Sequence, residues 1–586
     1  MTLSTLLLLL QVTGPLPEAP PCPDGEITHV FIDNHSIFDP ASMPEDGRIR
    51  WAYRLANTLH LRTRADFIED QVLFQEGDCF DQEVVDESAR LLREYRFIAH
   101  ADAFAVEQPD GSVHVIVDTN DEWTTKLAIL ARFDQGLEFD GAQLIEENFL
   151  GRGIALGAFY LERDERRDLG LGLEVPQIGN SRWDGHLGLG ATRIGEVVEQ
   201  AFIRPFSGER PGTAFRQRIF HRRDLFNYVL SDDGQYSHLV VPLQEEHIQL
   251  AAARRIPWSD GLVTIGGGLS YERVGGGSAD QVEGITRGDF ANREEVGVEL
   301  SDPVLPHLAN RHALRIGILA GTRSLRFAQR HGLDPVRGVQ DIPLGHEVLL
   351  TVGPSIGSTG AGASSDIFSD LEVFAGAGTG TTLGFIGVSA EARWETRGAW
   401  RDVLLDGWGL AYHEMASLGD PVVVFRAATH AGWSTSSPFQ LVLGGPDGVR
   451  GYSDWDHAGG RRVVFSGESR WSLSTPYPDF ADFGVTLFGD MGRMWAGDAP
   501  FGRDSGWRST VGGGLRVGFP AGSSSVIRFD LAWPLEGPDR TPVLRISARE
   551  WVGLLDDNRN PQLLRSRRSG LTTNFTGVAR ERRPPG

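Results

Sequence analysis

The sequence predicts a mainly β fold: a transmembrane antiparallel β-barrel of about sixteen strands, preceded by one small α+β domain. Three observations favour this architecture. Residues 124–555 alternate apolar and polar side chains with almost no helical pattern, and 72 of the 586 residues are glycine, well above the usual share. After the N-terminus, no apolar run reaches the length of about eighteen residues that a membrane-spanning helix needs.

The first segment, residues 1–23, combines an uncharged leucine run with a proline-rich leader. Its apolar core, Leu3–Leu10, is too short to span a bilayer and is typical of a secretion signal. A chance leucine run is the alternative. The chain has two cysteines, Cys22 and Cys79, which are too few for a disulfide scaffold. Because Cys22 lies at the edge of the removable segment, we expect the two cysteines to stay unpaired, although an oxidising compartment would permit a bridge.

Residues 24–123 carry both periodicities and predict a small mixed domain. Val85, Ala89, Leu92 and Tyr95 share one face of an amphipathic helix, and Asp81 is a good N-cap for it. QPDG is a turn sequence that joins the last two strands into a hairpin. The predicted elements are a strand at 27–39, an inserted helix at 48–60, helices at 64–74 and 82–95, and strands at 97–106 and 112–118.

The run EGDCFDQEVVDESARLLREYRFI, which ends in that hairpin, resembles a POTRA domain. Gly77 and Asp78 match the Gly-Asp turn that precedes the second POTRA helix. The resemblance implies a periplasmic module that binds a client polypeptide by adding the client's strand to its own sheet edge. The alternative is a spacer that only orients the rest of the chain. The further positions that match the pattern are Phe80, Leu91, Leu92, Tyr95 and Phe97.

Residues 124–555 predict the barrel. In SVIRFDLAW (525–533), Ile527, Phe529, Leu531 and Trp533 face one way, and the polar residues between them face the other. A soluble sandwich of this length would divide into domains of about 100 to 250 residues. In lipid every backbone polar group must bond within the sheet, so the sheet closes. Strand-and-loop units of about 27 residues give the count of about sixteen strands.

Several function classes are disfavoured. The formal net charge of −23 argues against nucleic-acid binding. Gly353–Gly357 fits the G-x-S-x-G spacing, but no helical pattern follows it, and the glycine-rich run 376–384 lacks the ending of a phosphate loop. No CxxC or histidine cluster suggests a metal site. We therefore expect no enzymatic activity, no metal and no cofactor.

The glycine-rich stretch GGPDGVRGY (444–452) lies between two late strands and places one long cation, Arg450, in a loop. Together with IEENFLGRGIAL (145–156) and LFGDMGRMW (487–495), it resembles the BamA/TamA-like family of outer-membrane assembly and translocation barrels, also called bacterial surface antigens. The resemblance implies a loop that folds into the barrel lumen and is held there by its arginine on wall carboxylates. The loop motif is Val449, Arg450, Gly451 and Tyr452.

Strand register predicts which carboxylates face that arginine. In VVFSGESRWSL (463–473), the outward parity of Phe465, Trp471 and Leu473 directs Glu468 inward. The parity of Phe483, Val485 and Leu487 directs Asp490 inward on the neighbouring strand. We expect one guanidinium to bridge Glu468 and Asp490. The alternatives are a solvated loop, or a lumenal charge network unrelated to it.

Two features depart from the family pattern. General assembly barrels usually carry several POTRA domains, whereas this chain has one. The candidate last strand, 542–554, is followed by an arginine-rich tail, residues 556–586, which we expect to be disordered and periplasmic.

The resulting hypothesis is a protein in the outer membrane of a diderm bacterium, with its N-terminal domain in the periplasm, that inserts client polypeptides into that membrane. A pore that exports one dedicated substrate is an alternative, although no plug helix precedes residue 27. A passive porin-like channel is another. The expected partners are outer-membrane lipids, unfolded client polypeptides, and accessory periplasmic proteins or lipoproteins.

Overall fold

The structure is a computed structural model, which describes residues 22–586 apart from several gaps. The predicted secretion signal therefore lies almost wholly outside the described residues. The gaps are 39–49, 134–136, 164–165, 231–233, 287–289, 309, 357–364, 397, 417–418, 446–447, 454–456, 475–478, 538–539, 548–561, 564–574 and 578–586.

The N-terminal domain is a three-stranded sheet with helices packed on it. The strand order is β1-β3-β2, with β1 parallel and β2 antiparallel to the central β3. Helices and strands occur where the sequence predicts them, including the inserted helix α1. In chain order the elements are β1 (Ile27–His35), α1 (Arg50–Leu59), α2 (Ala65–Gln71), α3 (Gln82–Arg93), β2 (Ile98–Glu107) and β3 (Val113–Asp121).

Helix α3 is held by its cap and by its apolar face. The Asp81 carboxylate accepts a hydrogen bond from the backbone N–H of Glu83 at 2.9 Å, which is the expected N-cap. All four residues of the predicted face are buried, and Val85, Leu92 and Tyr95 pack with the core residues of the sheet. The apolar spacing of this helix therefore builds the core of the domain.

The two cysteines form a disulfide, so the expectation that they stay unpaired is wrong. Cys22 and Cys79 are 57 residues apart in sequence, and their Cα atoms are 5.1 Å apart. The reason is local: the turn at Gly77 returns to the start of β1, where the Gly77 N–H donates to the Ile27 carbonyl. That turn places Cys79 directly beside Cys22.

After Trp123 the chain forms one closed antiparallel ring. A small hairpin of β13 (Glu283–Ile285) and β14 (Arg293–Glu295) extends β11 at one rim, followed by the short helix α4 (Val298–Ser301). Two short strands, β21 (Leu441–Val442) and β22 (Ala458–Gly459), form a separate two-stranded sheet. The twenty ring strands within the described residues are β4 (Thr125–Phe133), β5 (Leu137–Phe149), β6 (Ile154–Arg163), β7 (Arg166–Val175), β8 (Asp184–Ala191), β9 (Glu196–Arg204), β10 (Gly212–Val229), β11 (His238–Trp258), β12 (Gly261–Gly276), β15 (Arg311–His331), β16 (Val339–Pro354), β17 (Asp366–Gly378), β18 (Thr382–Glu395), β19 (Trp400–Glu414), β20 (Val422–Trp433), β23 (Arg461–Leu473), β24 (Asp482–Trp495), β25 (Gly506–Gly518), β26 (Ile527–Pro534) and β27 (Val543–Ser547).

The barrel architecture agrees with the prediction, but the ring has more strands than the expected sixteen or so. The difference arises from short connections: residues 259–260 join β11 to β12, and residues 379–381 join β17 to β18. A repeat of about 27 residues per strand was therefore too long for this chain.

The alternation of the strands separates a lumenal face from an outer face. On β26, the outward Ile527, Phe529 and Trp533 are exposed, whereas Arg528 and Asp530 are buried towards the lumen. This is the register predicted for SVIRFDLAW. No helix within the described part of the chain is long and apolar enough to cross a bilayer.

The barrel has two distinct ends. The end where β4 begins carries the N-terminal domain and is called the domain end; the opposite end, with the long connections, is called the loop end. Arg93 of α3 donates to Asp341 of β16 at 2.8 Å, and Phe38 and Tyr53 pack with Phe480 in a domain-end turn. The N-terminal domain is thus docked directly on the barrel wall.

Candidate functional site: the inward loop and its carboxylates

The connection between β20 and β23, residues 434–460, folds into the lumen and is called the inward loop. Its apolar residues Phe439, Leu441, Leu443 and Val449 are completely buried or nearly so. They pack against lumenal wall residues of three strands, namely Leu404, Val464 and Met494. Burial of apolar side chains, rather than the arginine alone, therefore draws the loop inward.

Arg450 lies at the centre of this site and is 2% exposed. Its Nε donates to Asp490 Oδ2 at 2.6 Å, and its Nη2 donates to Asp490 Oδ1 at 2.7 Å. Its Nη1 donates to Glu468 Oε1 at 2.6 Å. The guanidinium thus holds Asp490 in a bidentate pair and reaches Glu468 with its remaining edge, which are the contacts that the strand register predicts.

The wall beneath Arg450 is shaped to receive a flat cation. The Arg450 guanidinium carbon lies 3.6 Å from the centre of the Phe488 ring, a cation–π contact. Phe488 in turn occupies the space beside Gly512, where a Cβ atom would lie 2.4 Å from the ring. A glycine on β25 therefore makes room for the aromatic floor of the site.

Glu468 has more partners than the sequence analysis expected. Arg528 on β26 donates to both of its oxygens at 3.2 Å, and Arg470 Nε donates to its Oε2 at 3.0 Å. Asp530 lies 3.8 Å from Arg450 and accepts from Arg528 at 3.1 Å. Sequence register already placed Arg528 and Asp530 on the lumenal face, but it did not show that β26 curves far enough round the ring to reach this site.

The other residues of the motif position the arginine. Val449 is fully buried beside Gly492 of β24, where an added Cβ would lie 2.7 Å from Val449 Cγ2. Gly451 has φ of 85°, a backbone conformation that favours glycine. Tyr452 donates its hydroxyl hydrogen to the Ser509 and Glu536 carbonyl oxygens, each at 3.1 Å. The motif is therefore fixed on both sides of Arg450.

A second segment enters the lumen from the opposite end, and the sequence analysis did not identify it. The domain-end turn, residues 332–338 between β15 and β16, has Leu333 fully buried. Asp334 accepts from the Tyr412 hydroxyl at 2.6 Å and from Arg470 Nη1 at 3.3 Å. Its backbone carbonyl also accepts from Arg516. The inward polar residues of β23 and β25 were the available signal, but nothing in the turn itself indicated them.

Gly77 and Asp78 lie in the N-terminal domain, far along the chain from the inward loop. Gly77 has φ of 91°, and the Asp78 carboxylate accepts from the Gln75 N–H at 3.0 Å. The Ile27 N–H donates to the Asp78 carbonyl at 2.9 Å. These contacts form the tight turn that leads into α3; their role in client binding stays a prediction.

The motifs considered for catalysis lie at strand ends and in a connection between strands, and Gly357 of the first lies outside the described residues. Gly353 and Pro354 end β16, and the next described element after Ile356 is another strand, β17. Residues 376–384 span the short connection from β17 to β18. Within the described residues, no group of three or more histidine, cysteine, aspartate or glutamate side chains is arranged to hold a metal ion.

Residues 405–548, which contain the inward loop and its wall strands, match the family model of the Omp85 superfamily domain. No curated protein matches the chain. Among solved structures, BamA from Haemophilus ducreyi lacking POTRA domains 1–3 is 13% identical with a TM-score of 0.38, covering 88% of this chain and 84% of that one. CdiB from Acinetobacter baumannii is 12% identical with a TM-score of 0.39, covering 89% and 73%, and CdiB from Escherichia coli is 11% identical with a TM-score of 0.35, covering 92% of each chain.

Proposed function

We propose, from the premise that this chain is an outer-membrane barrel of the Omp85 superfamily, that it inserts client polypeptides into the outer membrane by strand addition at its own seam. Members of this superfamily insert polypeptides into the membrane or translocate them. Of these two activities we propose insertion. The observation that supports it is the junction between β27 and β4, which is called the seam.

Within the described residues, the seam between β27 and β4 has few paired residues. Only Leu544–Phe133 and Arg545–Arg132 pair across it within the described residues. The next junction, between β26 and β27, has five residue pairs, and β10 pairs with β11 over the full eighteen residues of β10. A junction with few ladder hydrogen bonds separates at low cost and then exposes an edge on which a client strand can pair.

The filled lumen argues against a passive porin-like channel. Arg450, Glu468 and Asp490 are each no more than 3% exposed. A passive channel keeps its lumenal charges in contact with a continuous column of water. Here the lumenal charges pair with one another beneath the packed inward loop, which obstructs the lumen. Clients would therefore leave through the barrel wall rather than through the pore.

We further propose that the N-terminal domain is a POTRA-like periplasmic module that presents clients to the seam. β2 is an edge strand of its sheet, and Phe104 and Val106 on that strand are more than 40% exposed. An extended client segment can pair with such an edge and place apolar side chains against it. The docking of this domain beneath the barrel keeps a captured segment near the seam.

A disulfide lock tests the proposal. Phe133→Cys with Leu544→Cys joins the two seam strands when oxidised, and Leu515→Cys with Phe529→Cys joins the longer β25–β26 ladder as the matched control. We expect oxidation of the seam pair to stop the folding of an added unfolded outer-membrane barrel into vesicles that contain this protein. Reduction should restore folding, and the control pair should have no effect. Normal client folding with the seam locked would contradict the proposal.

Depletion in cells separates insertion from dedicated export. We expect loss of this protein to lower the amounts of several integral outer-membrane barrels in a quantitative proteome of that membrane. Loss of one secreted species, with the membrane barrels unchanged, would instead identify an export pore.

A further inference from the structure

Two described pieces of the C-terminal tail lie inside the barrel, so the expectation of a disordered periplasmic tail is wrong for them. They are Gln562–Leu563 and Phe575–Gly577. Leu563 is 2% exposed and Phe575 is 6% exposed. From these contacts we propose that these two pieces dock inside the barrel at two points and help to close its lumen. The inference does not depend on which polypeptide the barrel handles.

The first docking point is built by the inward loop and the wall together. Leu563 belongs to the buried cluster that contains Leu441 and Val449 of the inward loop and Met494 of β24. Beside it, the backbone N–H of Val442 donates to the Gln562 side-chain oxygen at 3.0 Å. A leucine thus fills the apolar cluster while its neighbour satisfies a buried backbone donor of the loop.

The second docking point is a pocket for an aromatic ring. Phe575 packs with small lumenal residues of β10 and β11, namely Ala214, Ala251 and Ala253. Its ring meets Phe206 edge to face, with 5.7 Å between ring centres. Phe206 carries the Arg255 guanidinium on its ring at 4.1 Å. Three alanines on adjacent strands leave the room that a phenyl ring needs, and the aromatic neighbour gives the pocket a preference for it.

The two docking points lie at opposite ends of the lumen. Val442 and Val449 belong to the inward loop, which enters from the loop end. Phe206 follows β9 at the domain end, and Gly577 lies there too, close to the Asp184 carboxylate and Pro205. A cavity of about 360 Å³ beside Phe575 is also lined by Arg90 of α3. The tail therefore contacts both the inward loop and the mouth beneath the N-terminal domain.

Both pieces are covalently attached to β27, so their local concentration at the lumen is high without any added ligand.

Truncations at defined residues test this docking in the full-length protein. Chains that end at Leu555, Asn574 and Gly577 would be purified and incorporated into planar bilayers, after heat-modifiable gel mobility has verified that each barrel is folded. We expect the chain ending at Gly577 to conduct like the full chain. The chain ending at Asn574, which lacks only Phe575–Gly577 by comparison, should raise the open fraction about tenfold or more, the change expected from losing one buried aromatic side chain.

A peptide tests the pocket itself. LTTNFTGVAR, residues 571–580, added to the chain ending at Asn574 should restore closure, and the same peptide with alanine in place of Phe575 should not. Equal open fractions for the chains ending at Asn574 and Gly577 would overturn the proposal. If the truncated chains do not fold, Phe206→Cys with Phe575→Cys in the full chain decides: a short bismaleimide should join the two cysteines, and failure to do so would overturn the proposal as well.

Discussion

Glu468 accepts a hydrogen bond from Arg470, two residues further along β23, with 3.0 Å between Arg470 Nε and Glu468 Oε2. The two side chains also serve different segments. Glu468 holds Arg450 of the inward loop, and Arg470 donates to the Leu333 carbonyl and the Asp334 carboxylate of the domain-end turn. One ion pair therefore links the segment that enters the lumen from one end with the segment that enters from the other.

Replacing Arg450 with alanine should release the inward loop. Glu468 keeps Arg470 and Arg528, so the residue left without its arginine is Asp490. A buried carboxylate without its partner costs about 3–5 kcal/mol. We expect the barrel to stay in the membrane while limited proteolysis cuts residues 440–460 faster and client folding falls. Arg450→Lys should restore only part of the protease resistance and of the client folding. The reason is that an ammonium cannot bond both oxygens of Asp490 as a planar guanidinium does.

A double-mutant cycle tests whether Arg450 and Asp490 act as partners. Arg450→Ala with Asp490→Asn should be no more sensitive to protease than Arg450→Ala alone, since no unpaired charge remains. Fully additive losses would mean that the contact does not hold the loop.

Asp334→Ala should loosen the domain-end turn. It removes the acceptor for the Tyr412 hydroxyl and for Arg470, and a buried donor without an acceptor costs about 1–3 kcal/mol. We expect faster cleavage within residues 332–338, with the inward loop still protected because Arg450 keeps both partners. Asp498→Ala is the matched control for cleavage within residues 332–338: its ion pair with Arg461 is exposed and worth at most about 1 kcal/mol, and its hydrogen bond from the Ser434 N–H is exposed too. Equal cleavage in both variants would contradict the role assigned to Asp334.

Gly492→Ala should displace the loop motif without touching a charge. The new Cβ would lie 2.7 Å from Val449 Cγ2 and 3.0 Å from Leu443 Cδ1. Overpacking of this kind costs about 1–3 kcal/mol. Gly467→Ala on β23 is the control, since its Cβ would meet Phe425 at an ordinary 3.9 Å. Protease sensitivity of the inward loop should rise in the first variant only; an unchanged cleavage rate for Gly492→Ala would show that Val449 does not seat the loop.

The junction between the two domains should be sensitive to pH through Glu122. Complete burial raises the pKa of the Glu122 carboxyl above its ordinary value, and this effect outweighs the opposing influence of Lys126 and the Ser523 hydroxyl. A carboxyl whose pKa is higher in the folded state binds more protons there than in the unfolded state. Its contribution to stability is therefore greatest below the unfolded value of about 4.3 and declines as the pH rises through the folded value.

Glu122→Gln tests this dependence. The amide oxygen still accepts from Ser523, and no charge is buried, so we expect a higher thermal midpoint at pH 8 and a smaller difference between pH 5 and pH 8. Glu107→Gln, at an exposed position of β2, should change neither quantity. A pH dependence equal to that of the unsubstituted protein would rule out Glu122 as its source.

The N-terminal domain should fold alone, because its helices and three strands enclose their own apolar core. Residues 22–123 should unfold cooperatively in urea. Reduction of Cys22–Cys79, which closes a loop of 57 residues, should lower the free energy of unfolding by about 2–4 kcal/mol. Non-cooperative unfolding of the oxidised domain would contradict its independence.

The sequence predicted the features that depend on local periodicity. Two-residue alternation on β23 and β24 directed Glu468 and Asp490 to the same side, and helical spacing identified the buried face of α3. These patterns follow from how side chains project from a strand or a helix, so they need no knowledge of distant contacts.

Other features depend on contacts between distant parts of the chain. Arg528 shares the lumenal parity, but its contact with Glu468 requires the curvature of the closed ring. The domain-end turn enters the lumen because Arg470 and Arg516, more than a hundred residues later, bond its backbone. The tail has an arginine-rich composition typical of disorder, and its buried residues are single positions without a repeat. Periodicity carries no information about such contacts.

The position of the tail imposes an order on biogenesis. β27 ends at the domain end, yet Leu563 reaches the cluster around the inward loop and Phe575 lies back beside Phe206. Leu563 and Phe575 follow the last ring strand in sequence, yet they occupy the interior of a wall that earlier segments build. Either the seam closes around a tail already in place, or the tail threads in from the domain end after closure. In both cases the residues that follow β27 are the first polypeptide that this lumen must admit.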